Sequence, residues 1–259
     1  MTELPPAKKY AIGLFKAWSS GLSMDDCLPV DCKALAEGLG IKVEGFDIED
    51  DFQGMLSIEG DFKAILYNSC IREEGRINFT IAHELGHYSL HRDRKELKCS
   101  LDDLENMGNL QPHSKNIERE ANVFASYLLM PGQDVRQQIK DNAIDIALMK
   151  RLSGRYQTSV TATACRVAYL ANQPIAIIVV SYDGRVKWSW RNQLFAEIFI
   201  ERGVKPEGLY LTDQDSQEPV LSKVWLPSEK LYLWELTQSM MLMPTYGQAL
   251  IVLGGQRVY

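Results

Sequence analysis

The sequence predicts an α+β protein in three parts: a mixed domain over residues 1–135, a helical segment over 136–171 and a small α+β module over 172–259. Three observations carry that prediction. Short apolar or alternating runs bounded by Gly, Asp or Asn recur at 42–46, 54–58, 63–68 and 174–181, the pattern of strands. Stretches with apolar residues at helical spacing lie at 79–91 and 117–130. Finally, 259 residues of which 46% are hydrophobic and 24% charged fit one large domain or two small ones with ample core.

In chain order, residues 8–19 read as a short amphipathic helix, and residues 31–39, after the turn at Pro29, as a second one ended by Gly40. Strands follow at 42–46, 54–58 and 63–68, then the helix that contains Phe79, Thr80, Ile81 and Ala82. Residues 92–113 are polar, and a connection of that length suits a lid or binding loop. Ser114 can cap the helix over 117–130, which Pro131 and Gly132 end. Residues 145–152 and 160–170 form a helix pair about a turn at 154–159, spaced like a helix-turn-helix. Arg151, Arg155 and Arg166 add positive charge there, but a chain of net charge -6 favours a packing hairpin over DNA contact. The last part reads as a buried strand at 174–181, a turn at Asp183 and Gly184, a strand at 186–190, a helix at 193–201, and strands at 231–234 and 249–253. Trp188, Trp190, Trp225 and Trp234 cluster in this part and read as core.

Bulk features bound the setting. No apolar run reaches membrane-spanning length, and the N-terminus has no apolar stretch behind its basic residues, which argues against a secretory signal. Five cysteines at irregular spacing suggest reduced thiols in a cytoplasm, with Cys27 and Cys32 structural.

The chemistry concentrates at His83, Glu84 and His87, an HExxH motif. Residues four apart share a helix face, so both imidazoles can reach one metal ion, with Glu84 beside the position of a bound water. This is the arrangement of a zinc hydrolase. Gly86 inside the motif costs about 1 kcal/mol of helix propensity, which a second backbone packed close at that point explains. The four histidines, His83, His87, His91 and His113, all fall in this region. A catalytic zinc takes three protein ligands. A third histidine after a glycine fails, because Leu90 and Asp93 stand at those positions. His91 would have to reach past His87 and better orients a neighbour, while His113 lies in a polar stretch. On the helix over 117–130, Ile117, Ala121, Phe124, Ala125, Leu128 and Leu129 form one face. Glu118 lies roughly 60° from its centre and Glu120 roughly 100° on the other side. Glu118 is thus the candidate third ligand, and Glu120 a solvated residue. Cys99, in the long connection, is a candidate thiol over the metal.

Arg76, Phe79 to Ala82, the HExxH motif, Leu90 and His91, followed by Glu118, Ala121, Asn122, Phe124, Ala125, Leu128, Leu129, Met130 and Pro131, resemble the ImmA/IrrE family of zinc metallopeptidases. The likeness covers about residues 7–171. It implies a zincin-like fold, one catalytic Zn2+ held by His83, His87 and Glu118, and Glu84 as general base. Tyr88, His91 and Asn122 are candidates to support the ligands or touch substrate. It further implies cleavage of a small helix-turn-helix repressor encoded nearby, releasing stress or mobile-element genes, and a strand at 63–68 able to pair with an extended substrate. Two other readings compete: a zinc-containing protein that sequesters a transcription factor without cutting it, and a DNA-binding regulator.

Overall fold

The structure, a computed structural model, describes residues 5–48, 52–92, 117–196, 198, 200–226 and 233–258, and residues 96–100 by their backbone. The chain forms two compact units, Met1–Asp134 with Ser153–Ala162, and Val135–Leu152 with Thr163–Tyr259.

The first unit opens with α1 (Pro6–Trp18), which buries Ala7, Ala11 and Phe15 at successive turns. α2 (Cys32–Gly38) is capped by Asp31, whose carboxylate accepts from the Ala34 N–H at 3.0 Å. β1 (Lys42–Phe46), β2 (Phe52–Glu59) and β3 (Phe62–Asn68) follow, then α3 (Glu74–Leu90), β4 (Glu96–Ser100) and α4 (Ile117–Leu129). The sheet order is β1-β3-β2-β4, with β1 parallel to β3 and the other pairs antiparallel. α3 lies across β2 and β3, and α1 and α4 pack beside it.

Two expectations change here. The strand at 63–68 is central and has no open edge, because β1 runs parallel along one side, with Val43 opposite Ile65, and β2 fills the other. Part of the connection read as a loop forms β4, which pairs with β2 with Leu97 opposite Leu56. Glu96–Ser100 does alternate, with Leu97 and Cys99 set between polar residues, but five residues inside a long polar connection give only a short signal. His113 and Ser114 lie outside the described residues.

After Pro131 the chain forms α5 (Gly132–Ile139), α6 (Ile146–Tyr156) and α7 (Val160–Leu170). α6 runs past the expected turn: Gly154 is helical, and the chain reverses instead at Gln157 (φ 46), Thr158 and Ser159. The cause is a staple inside the first unit. Asp134 is buried, and both its carboxylate oxygens accept from Arg155, at 2.8 and 2.9 Å. The Tyr156 hydroxyl donates to the same carboxylate at 2.7 Å, and Arg155 also reaches Asp25 at 2.7 Å. Ser159 caps α7 by accepting from Ala162 N–H at 3.0 Å. Of the three arginines placed on this pair by sequence, Arg155 is thus neutralised, Arg166 is buried and Arg151 donates to Gln138.

Burial, the bond to Asp134 and that carboxylate's charge push the Tyr156 phenol well above its ordinary value of 10.0. A raised value means that folding favours the protonated form, so this contribution is complete below about pH 10 and is lost as pH rises through the folded value. Tyr156→Phe is expected to cost about 1–2 kcal/mol at pH 8, the worth of a hydrogen bond to a charged acceptor. It should also lose less stability than the wild type between pH 9 and pH 11 (approximate limits of that window), as read from urea midpoints. Parallel alkaline decline in the two proteins contradicts this account.

The second unit holds a five-stranded antiparallel sheet in the order β6-β5-β9-β8-β7. Its strands are β5 (Ile175–Ser181), β6 (Val186–Arg191), β7 (Gln214–Val220), β8 (Trp234–Met243) and β9 (Gln248–Arg257). β5 is buried on both faces. One face carries a core of Ile178, Val180, Phe195, Trp225, Trp234 and Ile251. Helical residues attach at the other: Ile146 N–H donates to Ser239 Oγ at 3.0 Å, and Asn192 Nδ2 to the Ala168 carbonyl at 3.4 Å. Trp225 and Trp234 are core as expected, whereas Trp188 and Trp190 are half-buried. Among the described residues of the helix expected at 193–201, Gln193–Phe195 form a 3-10 turn, and Phe195 and Ile198 both enter the core; residues 197 and 199 lie outside the described residues. The strand expected at 231–234 instead starts at Trp234 and runs to Met243. No helix among the described residues is long and apolar enough to cross a membrane.

Candidate metal centre

The HExxH segment sits in the second half of α3, where His83, Glu84 and His87 are all fully buried. The helix can be this deep because two glycines remove side chains around it. A Cβ on Gly86 would stand 3.0 Å from Ala121 Cα and 3.2 Å from the Ala121 carbonyl, so α4 crosses backbone-to-backbone at that point. This is the close approach its place in the motif predicts. On the other side, a Cβ on Gly54 of β2 would meet Thr80 Cγ2 at 2.5 Å and Glu84 Oε1 at 3.1 Å, so the Glu84 carboxylate occupies room that the missing side chain leaves.

α4 delivers Glu118 to the same point. His83 Nε2 lies 3.0 Å from His87 Nε2, and Glu118 Oε2 lies 3.0 Å from the first and 3.2 Å from the second. Among the described residues, His83, His87 and Glu118 form the cluster of donors able to hold a metal ion. Two ligands of a tetrahedral zinc, each about 2.0–2.1 Å from the ion, stand about 3.3 Å apart, and the observed separations approach that. Burial pushes the Glu118 carboxyl up, but its close contacts with the His83 and His87 rings outweigh that and hold it well below the usual carboxylate range. Two imidazole nitrogens and an ionised carboxylate are a donor set that fits zinc.

The far sides of both rings are engaged. His83 Nδ1 donates to Asn122 Oδ1 at 2.9 Å. His87 Nδ1 meets His91 Nδ1 at 3.1 Å, and His91 Nε2 meets Glu120 Oε2 at 3.0 Å. Asn122 and His91 therefore stand behind the two histidines. Tyr88 lies elsewhere, its ring faced by the Arg92 guanidinium at 4.4 Å and by Lys63 at 5.6 Å. Glu120, read from sequence as solvated, is 55% exposed by its side chain yet turns back to His91. Helical angle alone cannot show this, because the partner lies at the end of another helix. The Cys99 backbone pairs opposite Gly54, and its side chain lies outside the described residues. Cys27 and Cys32 are buried, with burial pushing both thiols up, as structural cysteines require.

Gly86→Ala tests the helix crossing. Helix propensity alone favours alanine by about 1 kcal/mol. The methyl, however, meets backbone atoms of Ala121, which cannot rotate away. We expect a net loss of about 1–3 kcal/mol by chemical denaturation, the usual cost of overpacking. A more stable variant would mean that the helices are not in contact there.

A four-stranded mixed sheet backed by a helix bearing HExxH, with a glutamate donated by the next helix, is a zincin-like metallopeptidase domain, here followed by a separate β-rich module. The chain belongs to the peptidase M78 family: residues 36–168 match its IrrE N-terminal-like domain, in agreement with the resemblance carried by the two motif helices. No curated protein matches the sequence closely enough to count as a relative. Among solved structures, a transcriptional regulator from Mycobacterium tuberculosis is similar in fold, with a TM-score of 0.60 at 13% identity over 97% of this chain and 76% of that one.

Proposed function

We propose that the protein is a cytoplasmic zinc-dependent endopeptidase that cleaves a small helix-turn-helix repressor encoded nearby, and so releases stress or mobile-element genes. The observation that carries this reading is the convergence of His83 Nε2, His87 Nε2 and Glu118 Oε2 on one point, one residue along α3 from a buried Glu84. A zinc ion there would supply a water of lowered pKa and polarise the scissile carbonyl. Glu84 takes the proton of the attacking water and hands it to the leaving amine. His83, His87 and Glu118 hold the site, and Asn122, which accepts from His83 Nδ1, orients that ring with Nε2 toward the other two. Membership of a peptidase family supports the reaction type. The fold shared with a transcriptional regulator supports a regulatory setting. The engaged arginines of α6 and α7 favour a protein substrate over direct DNA contact.

The test is incubation of the zinc-loaded protein with the repressor encoded beside it, followed by mass spectrometry. A cut product that disappears with chelator supports the proposal. Stable binding of the intact repressor with no product, with or without zinc, replaces it with the sequestration reading.

A further inference from the structure

We propose that His91 and Glu120 are positioning residues for the metal centre: they fix His87 in one tautomer and one ring orientation. The inference rests on the metal-site reading above and adds the part that no motif contains.

The argument follows the direction of the hydrogen bonds. Glu120 Oε2 is a carboxylate oxygen and can only accept, so His91 Nε2 donates across 3.0 Å. A neutral imidazole that donates from one nitrogen accepts at the other. His91 Nδ1 therefore accepts, and His87 Nδ1, 3.1 Å away, carries the proton. With Nδ1 so engaged, Nε2, 3.2 Å from Glu118 Oε2 and 3.0 Å from His83 Nε2, is the atom that faces the candidate metal position. Reversing any link breaks the chain, since it would place two donors or two acceptors face to face.

The geometry also holds the ring in place. His87 is fully buried, whereas His91 is the C-cap residue of α3, where the helix has ended and its side chain can swing behind His87. Glu120 lies two positions beyond Glu118, about 200° round α4, so one helix supplies a candidate ligand from one side and the anchor of this chain from another. The two ligand histidines are thus held in different ways. His83 is backed by a neutral amide in direct contact, and His87 by a carboxylate acting through a second imidazole. Outer partners of this kind commonly govern metal affinity roughly 10–100-fold.

The experiment pairs zinc affinity, from chelator competition, with the His87 tautomer in the metal-free full-length protein, from long-range 15N–1H correlation spectra. We expect the wild type to show His87 protonated at Nδ1. His91→Ala should weaken zinc about 10–100-fold and give a mixed His87 tautomer, and Glu120→Ala should shift both in the same direction by about 10-fold in affinity. His91→Gln, whose amide can accept from His87 and donate to Glu120, should restore both readouts. Glu120 is more than half exposed, so its variant keeps the test open if His91→Ala folds poorly. Wild-type zinc affinity and an unchanged His87 tautomer in the alanine variants overturn this inference alone. A wild type that binds no zinc overturns the metal reading beneath it.

Discussion

A Glu84→Gln variant is expected to bind zinc as the wild type does and to cleave its substrate about 10²–10⁴ times more slowly, the usual contribution of a positioned general base. The substitution conserves volume in a fully buried position that the absent side chain of Gly54 accommodates, so packing of β2 on α3 should persist. What changes is proton affinity: an amide cannot accept a proton from water or return it to an amine. Equal melting temperatures and zinc content, with slowed appearance of the cut product, are the expected outcome. Cleavage at the wild-type rate would remove Glu84 from the mechanism. Because the variant keeps its surface, it should also trap the repressor uncut, a practical route to the complex.

The second large effect concerns Glu118. Glu118→Ala is expected to weaken zinc by more than about 100-fold, since even changes one layer further out commonly cost roughly 10–100-fold. The carboxylate is the anionic member of the cluster, and it lies within 3.0–3.2 Å of both imidazole nitrogens. Without it two imidazoles remain, below the three-ligand complement of a catalytic zinc. The wild type should gain thermal stability as zinc is added, because a ligand that binds only the folded state stabilises it by mass action. The variant should show no such gain at the same zinc concentration. A variant that still takes up one equivalent at wild-type affinity would place the third ligand elsewhere.

The motif helices were legible in the sequence because their constraints are local. Two histidines four apart, a glycine that only close packing explains, and a glutamate 60° (approximately, from helical geometry) from an apolar face each state one geometric fact. All three hold at His83 and His87, Gly86 and Glu118. The strand at 63–68 and the helix at 160–170 were equally plain, since burial imposes their apolar patterns, whereas the strand at 42–46, at most half-buried, was legible from its alternation and its flanking Gly40 and Asp47. What escaped depends on partners distant in sequence. β4 and β7 are edge strands held by backbone pairing: β7 is largely polar, and the alternation of β4 spans only five residues. α6 outruns Gly154 because Arg155 and Tyr156 find Asp134, a contact that no local propensity encodes. Glu120 escaped for the same reason: only the end of α3 makes it a partner of His91.

The carboxylate of Asp134 has a consequence for the order in which the molecule is made. Synthesis runs from the N-terminus, so every residue of the metal cluster and its backing has been joined once Asn122 is added. Asp134 then appears with Asp25 already present, and the partners it has in the fold, Arg155 and Tyr156, come only afterwards, Arg155 being 130 positions beyond Asp25. A growing chain therefore carries His83, His87 and Glu118 before it can complete the fold that buries the two histidines. Any metal taken up at that stage would meet an unfinished shell, and the staple on Asp134 can close only once Tyr156 has been added.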